Sequence, residues 1–211
     1  MPARNTRKEY IKDGVYHLYN RGVEKRDIFL DSMDYQVFLK YLRSYLLPKD
    51  EVLDYGSRIT INLHKDIDLL SFCLMPNHFH LLVKQNSEEA ITQLMQGLLT
   101  RYTVYFNRKY KRVGSLFQGR YCAALVPVDE YLIHVSRYIH LNPRKLKKEY
   151  YKYPFSSYPY YLGNEVASWV KPALVLDLIG GKKELDKFMK DSGSEYDSLM
   201  LGRTALDEEN E

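Results

Sequence analysis

The sequence predicts an α+β fold of the ferredoxin-like type, a split βαβ arrangement with two helices packed on one face of an antiparallel sheet. Stretches with strand-like character and stretches with helical spacing follow one another in the order β–α–β–β–α–β–α. Only Pro76 and Asn77 join the second and third strands, so these two strands are expected to pair antiparallel. A further helix follows the sixth element and can meet the sheet.

Capping and turn residues define the first elements. Val15–Asn20 alternates enough for a strand and ends at a turn-prone Asn-Arg-Gly sequence. Asp31–Leu47 has apolar residues at helical spacing, with Asp31 or Ser32 as the N-cap. Residues 49–65 are predicted to form a loop or a short hairpin.

The later elements follow from apolar runs bounded by Pro, Gly or capping residues. The pattern predicts strands over Asp66–Met75 and His78–Gln85, a helix from Ser87 to about Arg108 with a capping box at Ser87, a strand over Leu116–Val126 and a helix from Asp129 to about Asn142. Residues 150–164 are rich in Tyr and Pro, which indicates irregular structure. Short helices are expected at Leu174–Ile179 and Lys183–Lys190, before an acidic, disordered tail from Leu206.

The composition is that of a soluble globular protein. Of 211 residues, 45% are hydrophobic and 27% charged, which excludes a disordered chain and a small disulfide-stapled domain. The longest nearly apolar stretch, Ile67–Met75, is too short to cross a bilayer, and Met1–Lys12 lacks the apolar core of a secretory signal. Cys73 and Cys122 fit no metal or disulfide pattern, so both are expected to be reduced core thiols. The prediction is a cytoplasmic protein with no membrane partner.

Positive charge is concentrated in one segment. The formal net charge is +4, yet no acid occurs between Glu89 and Asp129, where basic side chains are interleaved with aromatic ones. This pattern is typical of a surface that binds a polyanion with stackable bases, but a solvated helix face above core aromatics has the same composition. The basic residues of the segment are Arg101, Arg108, Lys109, Lys111, Arg112 and Arg120.

The sequence His78-Phe79-His80 places two imidazoles two positions apart in a predicted strand. Residues i and i+2 of a strand point to the same face, so His78 and His80 are expected to project side by side. Two such imidazoles can hold one divalent cation. Two polar residues on the wet face of a sheet would give the same pattern.

A second group lies on the predicted helix that ends before Pro143. Tyr138 and Asn142 are four positions apart and therefore share a face, which also includes His134. A helical Tyr usually belongs to the core, but Asn142 makes this face polar. The amide oxygen of Asn142 can serve as a third, hard ligand to a cation held by His78 and His80.

Together these motifs resemble the single-tyrosine transposases, a family of histidine–hydrophobic–histidine nucleases, and most closely its REP-associated branch. The similarity runs from about residue 12 to residue 163, which defines the nuclease domain; residues 164–205 are expected to form a small helical extension and residues 206–211 the acidic tail. The motifs that carry the resemblance are Tyr16-His-Leu-Tyr-Asn-Arg-Gly22, Asn77-His-Phe-His80, Gly114-Ser-Leu-Phe-Gln-Gly-Arg120, Tyr138-Ile-His-Leu-Asn-Pro143, Tyr153-Pro-Phe-Ser-Ser-Tyr158 and Leu162-Gly163.

The resemblance implies an activity and a set of residues for it. Tyr138 matches the nucleophile, His78 and His80 match the paired metal ligands, and Asn142 stands where relatives place a polar third ligand, often Gln. The implied cofactor is Mg²⁺ or Mn²⁺. The implied enzyme is a metal-dependent endonuclease and strand transferase that cuts single-stranded DNA near hairpins through a 5′-phosphotyrosine intermediate. His134 and His140 match no position with an assigned role.

The expected DNA contacts are basic. Those favoured are Arg21, Arg120 and the Arg108–Arg112 cluster, within a wider set of Arg21, Arg101, Arg108, Lys109, Lys111, Arg112, Arg120 and Arg144. Alternatives on the same fold are a non-cleaving regulator that binds hairpin DNA and an RNA-binding module; a structural protein is a third. The resemblance leaves the oligomeric state open between a homodimer, because mobile-element relatives resemble swapped dimers, and a monomer, as in the REP-associated branch.

Overall fold

The structure, a computed structural model, describes residues 10–51, 61–127 and 129–190. Most of the predicted 49–65 loop and the whole acidic tail lie outside the described residues. The helices and strands are β1 Val15–Arg21, α1 Ser32–Leu46, β2 Ile67–Met75, β3 His78–Gln85, α2 Ala90–Lys109, β4 Cys122–Val126, α3 Asp129–Leu141, α4 Tyr158–Leu162, α5 Ala173–Ile179 and α6 Lys182–Lys190, with short 3₁₀ helices at Val23–Lys25, Asn142–Leu146 and Tyr150–Lys152.

The sheet has the predicted topology. Its four strands lie in the order β2-β3-β1-β4, and every neighbouring pair is antiparallel. The two central strands, β3 and β1, are therefore separated in the chain by α1 and β2, as a split βαβ arrangement requires. The predicted α+β, ferredoxin-like fold class is confirmed.

Helices cover both faces of this sheet. On one face, α1 and α2 pack through rings such as Phe38, which lies 5.3 Å from Phe79 between ring centroids. On the other face, α3 packs with Val135 and Ile139 against Leu82. Because side chains alternate along β3, Phe79 and His80 point to opposite layers. The sheet thus separates an aromatic layer from the layer that contains the histidines.

The two long helices begin differently. Asp31 caps α1 in a reciprocal capping box with Asp34, as the sequence indicated. The expected start of α2 at Ser87 is wrong, because the helix begins at Ala90 without a side-chain cap from its own N-terminal residues. Instead, the backbone N–H of Ile91 donates to the side chain of Gln85 at 3.4 Å, so the end of β3 supplies the acceptor.

The fourth strand is shorter than the predicted Leu116–Val126. Residues 114–119 leave the ladder and lie across the end of β1, where Gln118 N–H donates to the Arg21 carbonyl at 2.8 Å. Gly119 adopts a φ of +78°, which favours glycine and breaks the extended conformation. Within the predicted strand Leu116–Val126, only Cys122–Val126 pairs with β1.

The C-terminal region packs on the histidine-containing layer. Contrary to the irregular structure expected for residues 150–164, it contains the 3₁₀ helix Tyr150–Lys152 and α4. Beyond it, Leu185 and Met189 of α6 join the same hydrophobic cluster as Val135 of α3. Within the described ranges, every helix is too short or too polar to cross a lipid bilayer.

The two cysteines differ in burial. Cys73 is a buried core thiol, as predicted, and burial raises its pKa. Cys122 is only partly buried and is therefore not a core residue. Both are free thiols.

An ion-pair network joins the start of α1 to the end of α2. The carboxylate of Asp34, whose side chain is fully buried, accepts hydrogen bonds from Lys109 at 2.7 Å, Tyr105 at 2.9 Å and Tyr110 at 2.8 Å. Lys109 also pairs with Asp31 at 2.7 Å. Burial opposes ionisation of Asp34, yet Lys109 and the other donors hold its pKa below the ordinary value. One of the predicted DNA-binding lysines is thus part of a structural network.

We predict that Lys109→Gln lowers the free energy of unfolding at pH 7 by about 1–3 kcal/mol, because a buried carboxylate loses a charged partner. The matched control is Arg108→Gln, which removes the same charge from an exposed neighbour on α2. It should change stability by less than about 0.5 kcal/mol. Urea denaturation measures both.

The destabilisation caused by Lys109→Gln is expected to depend on pH. Because the pKa of Asp34 is lowered by folding, its contribution is present above the ordinary aspartate pKa of about 4 and is lost as the pH falls through the native value. The difference between the Lys109→Gln variant and the wild type should therefore shrink at low pH. Equal destabilisation by the two variants at pH 7 would contradict a structural role of Lys109.

Candidate active site

The histidine pair lies on the α3 side of the sheet. His78 and His80 are both buried, and their ring centroids are 4.9 Å apart. In the β1–β3 ladder, Arg21 is paired with His78 and Tyr19 with His80. Paired residues of an antiparallel ladder point to the same face. The register therefore brings Arg21 to the same face as the two imidazoles.

Asn77 orients the ring of His78. The side-chain amide of Asn77 donates to the Lys25 carbonyl at 3.2 Å, so its oxygen faces the other way. That oxygen lies 2.6 Å from Nδ1 of His78. Because an amide oxygen only accepts, Nδ1 of His78 carries the proton and Nε2 carries the lone pair. This is the tautomer that binds a metal through Nε2.

His80 is held by a third histidine that the sequence did not single out. Nε2 of His17 lies 2.9 Å from Nδ1 of His80, and both rings are buried. Burial lowers the pKa of His17 to about 3. It also lowers the pKa of His80 well below the ordinary value, with further contributions from the neighbouring His78, His17 and Lys145. All of these effects favour the neutral imidazole, the form that can ligate a metal.

The ring of Tyr138 packs against the rings of His80 and His17. It lies on α3, is half-buried, and its ring centroid is 5.5 Å from that of His80 and 6.2 Å from that of His17. The contact is within a single chain. The structure therefore brings together the predicted nucleophile and the predicted metal-binding pair without a second subunit.

Asn142 lies just beyond α3. Its side-chain N–H donates to the backbone carbonyl of Tyr138 at 2.8 Å, which turns the amide oxygen away from the helix end. That oxygen is buried and has no hydrogen-bond partner among the described residues. Nε2 of His80 is likewise buried and has no hydrogen-bond partner among the described residues. Buried polar atoms are nearly always satisfied, so each of these two atoms is available to a water molecule or a bound ion.

These residues fit a divalent cation. The described ranges contain no group of three or more His, Cys, Asp or Glu side chains that could hold a metal, so a site here depends on two imidazoles and an amide oxygen. Such a set is neutral and leaves coordination positions for water or phosphate oxygens, as a catalytic metal site requires. A structural zinc site would need four protein ligands instead.

The basic residues fall into two groups. Arg21 lies on the histidine side, where its guanidinium donates to Gln118 at 3.0 Å, and the exposed Arg120 follows two residues later in the same loop. Arg101 and Arg108 belong to α2, on the opposite side of the sheet, with Arg101 4.3 Å from the ring centroid of Tyr41. The remaining members of the predicted set are Lys109, in its ion-pair network, Lys111 and Arg112 after the end of α2, and Arg144 after α3.

The two histidines without an assigned role are structural. His140 is buried and its Nε2 lies 2.7 Å from the hydroxyl of Ser157. His134 packs against Phe188 of α6, with ring centroids 5.4 Å apart. Both residues therefore belong to the contact between α3 and the C-terminal region.

Residues 15–142 match the family described as IS200-like transposases. The chain belongs to this family. That membership confirms the resemblance seen in the motifs and gives the chain a transposase role. No curated protein matches the chain.

Two solved structures are similar to this transposase-family chain. One is a REP-associated tyrosine transposase bound to a REP hairpin, with 14% identity, a TM-score of 0.56, and coverage of 82% of this chain and 93% of that one. The other is a candidate transposase from Deinococcus radiodurans, with 15% identity, a TM-score of 0.39, and coverage of 64% and 95%. The first similarity supports the fold.

We predict that Asn77→Ala releases the tautomer of His78. In the wild type, long-range ¹H–¹⁵N NMR above the histidine pKa range should show His78 with the proton on Nδ1. The variant should shift His78 toward the Nε2-protonated form, which is the commoner tautomer of an unconstrained imidazole. His64 is an internal control, since its Nδ1 lies 2.9 Å from the Leu46 carbonyl and must donate to it in both proteins. Observation of Nε2-protonated His78 in the wild type would contradict the assignment.

Proposed function

We propose that the chain is a metal-dependent endonuclease and strand transferase for single-stranded DNA, with Tyr138 as the nucleophile. The observation that carries this proposal is the 5.5 Å contact between the rings of Tyr138 and His80 in one chain. A transposase family and a phenol beside buried, neutral imidazoles point to the same chemistry. His78, His80 and Asn142 would hold Mg²⁺ or Mn²⁺.

The protein side of the reaction follows from the geometry. A bound Mg²⁺ or Mn²⁺ would withdraw charge from the nonbridging oxygens of the scissile phosphate. The phenolic oxygen of Tyr138 attacks phosphorus, the bond from phosphorus to the 3′ oxygen breaks, and the phenolic proton ends on that 3′ oxygen. The products are a 5′-phosphotyrosine and a free 3′-hydroxyl. The reverse attack by a 3′-hydroxyl rejoins strands without ATP.

Positioning compensates for the weak nucleophile. A phenol is mostly protonated at neutral pH and attacks poorly in solution. Here α3 holds Tyr138 against the ligand pair, so the attack is effectively intramolecular once DNA is bound. His17 supports this arrangement by contacting Nδ1 of His80, which leaves Nε2 to face an ion.

The proposed substrate is single-stranded DNA beside a hairpin. The solved relative bound to a REP hairpin supports this choice, as does the basic surface of the chain. Arg21 lies on the tyrosine side, and Arg120 follows its hydrogen-bond partner Gln118 by two residues; both are proposed to contact the strand near the cut. Arg101 and Arg108 belong to α2, on the side of the sheet opposite Tyr138, where they would contact flanking DNA. Lys111 and Arg112 at the end of α2 extend the second group.

We predict that the protein forms an SDS-resistant adduct with a 3′-labelled hairpin oligonucleotide in Mg²⁺ or Mn²⁺, because the 5′-phosphotyrosine link retains the fragment on the 3′ side of the cut. Tyr138→Phe should abolish the adduct because it removes the nucleophilic oxygen. The matched control is Tyr151→Phe, which removes the hydroxyl of an exposed tyrosine on another element and should leave the yield unchanged. The readout is the fraction of label shifted in a denaturing gel.

The remaining arms of this experiment separate the alternatives. A chelator and the His80→Ala variant should each suppress the adduct, with circular dichroism to confirm that the variant is folded. If the protein binds hairpin DNA yet yields no adduct in either metal, the non-cleaving regulator is correct. Tight binding of RNA without any DNA adduct would favour the RNA-binding module.

We further predict that the two basic groups contribute differently. Arg21→Gln with Arg120→Gln should lower both the adduct rate and the salt dependence of binding, by about 0.7 in log–log slope for each lost phosphate contact on a single strand. The matched pair Arg101→Gln with Arg108→Gln should lower the salt slope but not the rate at saturating DNA. Fluorescence anisotropy across a salt series measures the slopes. Identical slopes for wild type and a variant pair would remove that pair from the DNA-binding surface.

A further inference from the structure

A lysine lies at the exposed rim of the tyrosine site. Lys145 belongs to the 3₁₀ helix Asn142–Leu146 that directly follows α3. Its ammonium nitrogen is 5.4 Å from the centroid of the Tyr138 ring. Lys145 is exposed whereas Tyr138 is half-buried and His80 is buried. The three side chains thus run from solvent to core in the order ammonium, phenol, imidazole.

The neighbouring cations of this segment face other rings. The guanidinium of Arg144 lies 5.0 Å from the ring centroid of Tyr150, and the ammonium of Lys148 lies 5.6 Å from that of Tyr153. Of these three cations, Lys145 is the one directed at Tyr138. The electrostatic effect of its charge on His80 agrees with this placement.

The backbone holds this segment in place. The side chain of Asn142 donates to the carbonyl of Tyr138 at 2.8 Å, and Pro143, with its fixed φ, is the second residue of the 3₁₀ helix. The backbone N–H of Lys148 donates to the Pro143 carbonyl at 3.2 Å, which closes the segment. The side chain of Lys145 therefore starts from a fixed backbone position next to Tyr138.

We propose that Lys145 is a further catalytic residue, whose ammonium binds a nonbridging oxygen of the phosphate that Tyr138 attacks. This inference rests on the proposed function of the site. During the step, the bond between Tyr138 and phosphorus forms, the bond to the 3′ oxygen breaks, and Lys145 keeps its proton throughout. A fixed ammonium beside a phosphate in transition stabilises the charge that accumulates on its oxygens.

The test uses the full chain in single-turnover adduct formation at saturating hairpin DNA. Lys145→Met should slow the rate constant by about 10²-fold, the size of effect expected for loss of one charge-stabilising donor. Lys145→Arg, which keeps the cation, should retain the rate within about tenfold. The matched control is Lys148→Met, a lysine on the same segment that faces Tyr153, and it should be unaffected. Thermal unfolding confirms that each variant is folded.

A second substrate distinguishes phosphate binding from a structural role. In a methylphosphonate at the scissile position, one charged nonbridging oxygen is replaced by a methyl group. The rate ratio between wild type and Lys145→Met should then fall from about 10² toward 1, because the charge that Lys145 stabilises is gone. A ratio that stays the same on both substrates would overturn the proposal, as would a Lys145→Met rate equal to that of Lys148→Met.

The outcomes also separate the two proposals. If the wild type forms no Tyr138-dependent adduct, the proposed function fails and the role of Lys145 fails with it. If the adduct needs Tyr138 but is indifferent to the charge at position 145, the inference on Lys145 alone is wrong. DNA affinity, measured in a Tyr138→Phe background, should change less than twofold on adding Lys145→Met if the effect lies in the chemical step.

Discussion

The antiparallel pairing of β1 with β3 is the constraint on which the site depends. It places Arg21 beside His78 and Tyr19 beside His80, and it lets His17 reach His80 at 2.9 Å. A slip of one residue would turn every side chain of β1 to the other face of the sheet. Such a slip is prevented because both faces are buried: Leu18 packs among the aromatic residues of one layer, and His17 lies in the other.

Burial then fixes the chemical state of the histidine group. Removing imidazoles from water disfavours their charged form, so His17 and His80 remain neutral and keep lone pairs at physiological pH. The same burial would be costly for polar atoms without partners. Nε2 of His80 and the amide oxygen of Asn142, which are two of the ligand atoms proposed for the ion, both lack a hydrogen-bond partner among the described residues.

Local patterns in the sequence predicted most of the fold, while long-range contacts were beyond their reach. Alternation and capping gave the element order, the shared face of His78 and His80, and the placement of Tyr138 and Asn142 near the end of one helix. The contact between His17 and His80 depends on strand register, and the pairing of Lys109 with Asp34 joins residues far apart in the chain. The early start expected for α2 failed for a similar reason, since Gln85 of the preceding strand provides the acceptor at its N-terminus.

Asn77 and Asn142 are oriented in the same way, each by a hydrogen bond from its side-chain amide to a backbone carbonyl. A side-chain amide has a donor end and an acceptor end, and a backbone carbonyl can bind only the donor end. The Lys25 carbonyl therefore turns the oxygen of Asn77 toward His78, and the Tyr138 carbonyl turns the oxygen of Asn142 away from the helix end. The second case arises because α3 stops just before Pro143, which leaves a carbonyl of the last turn for a side chain to cap. The end of α3 thus leaves free the Tyr138 carbonyl that orients the amide oxygen of Asn142, the third ligand proposed for the ion.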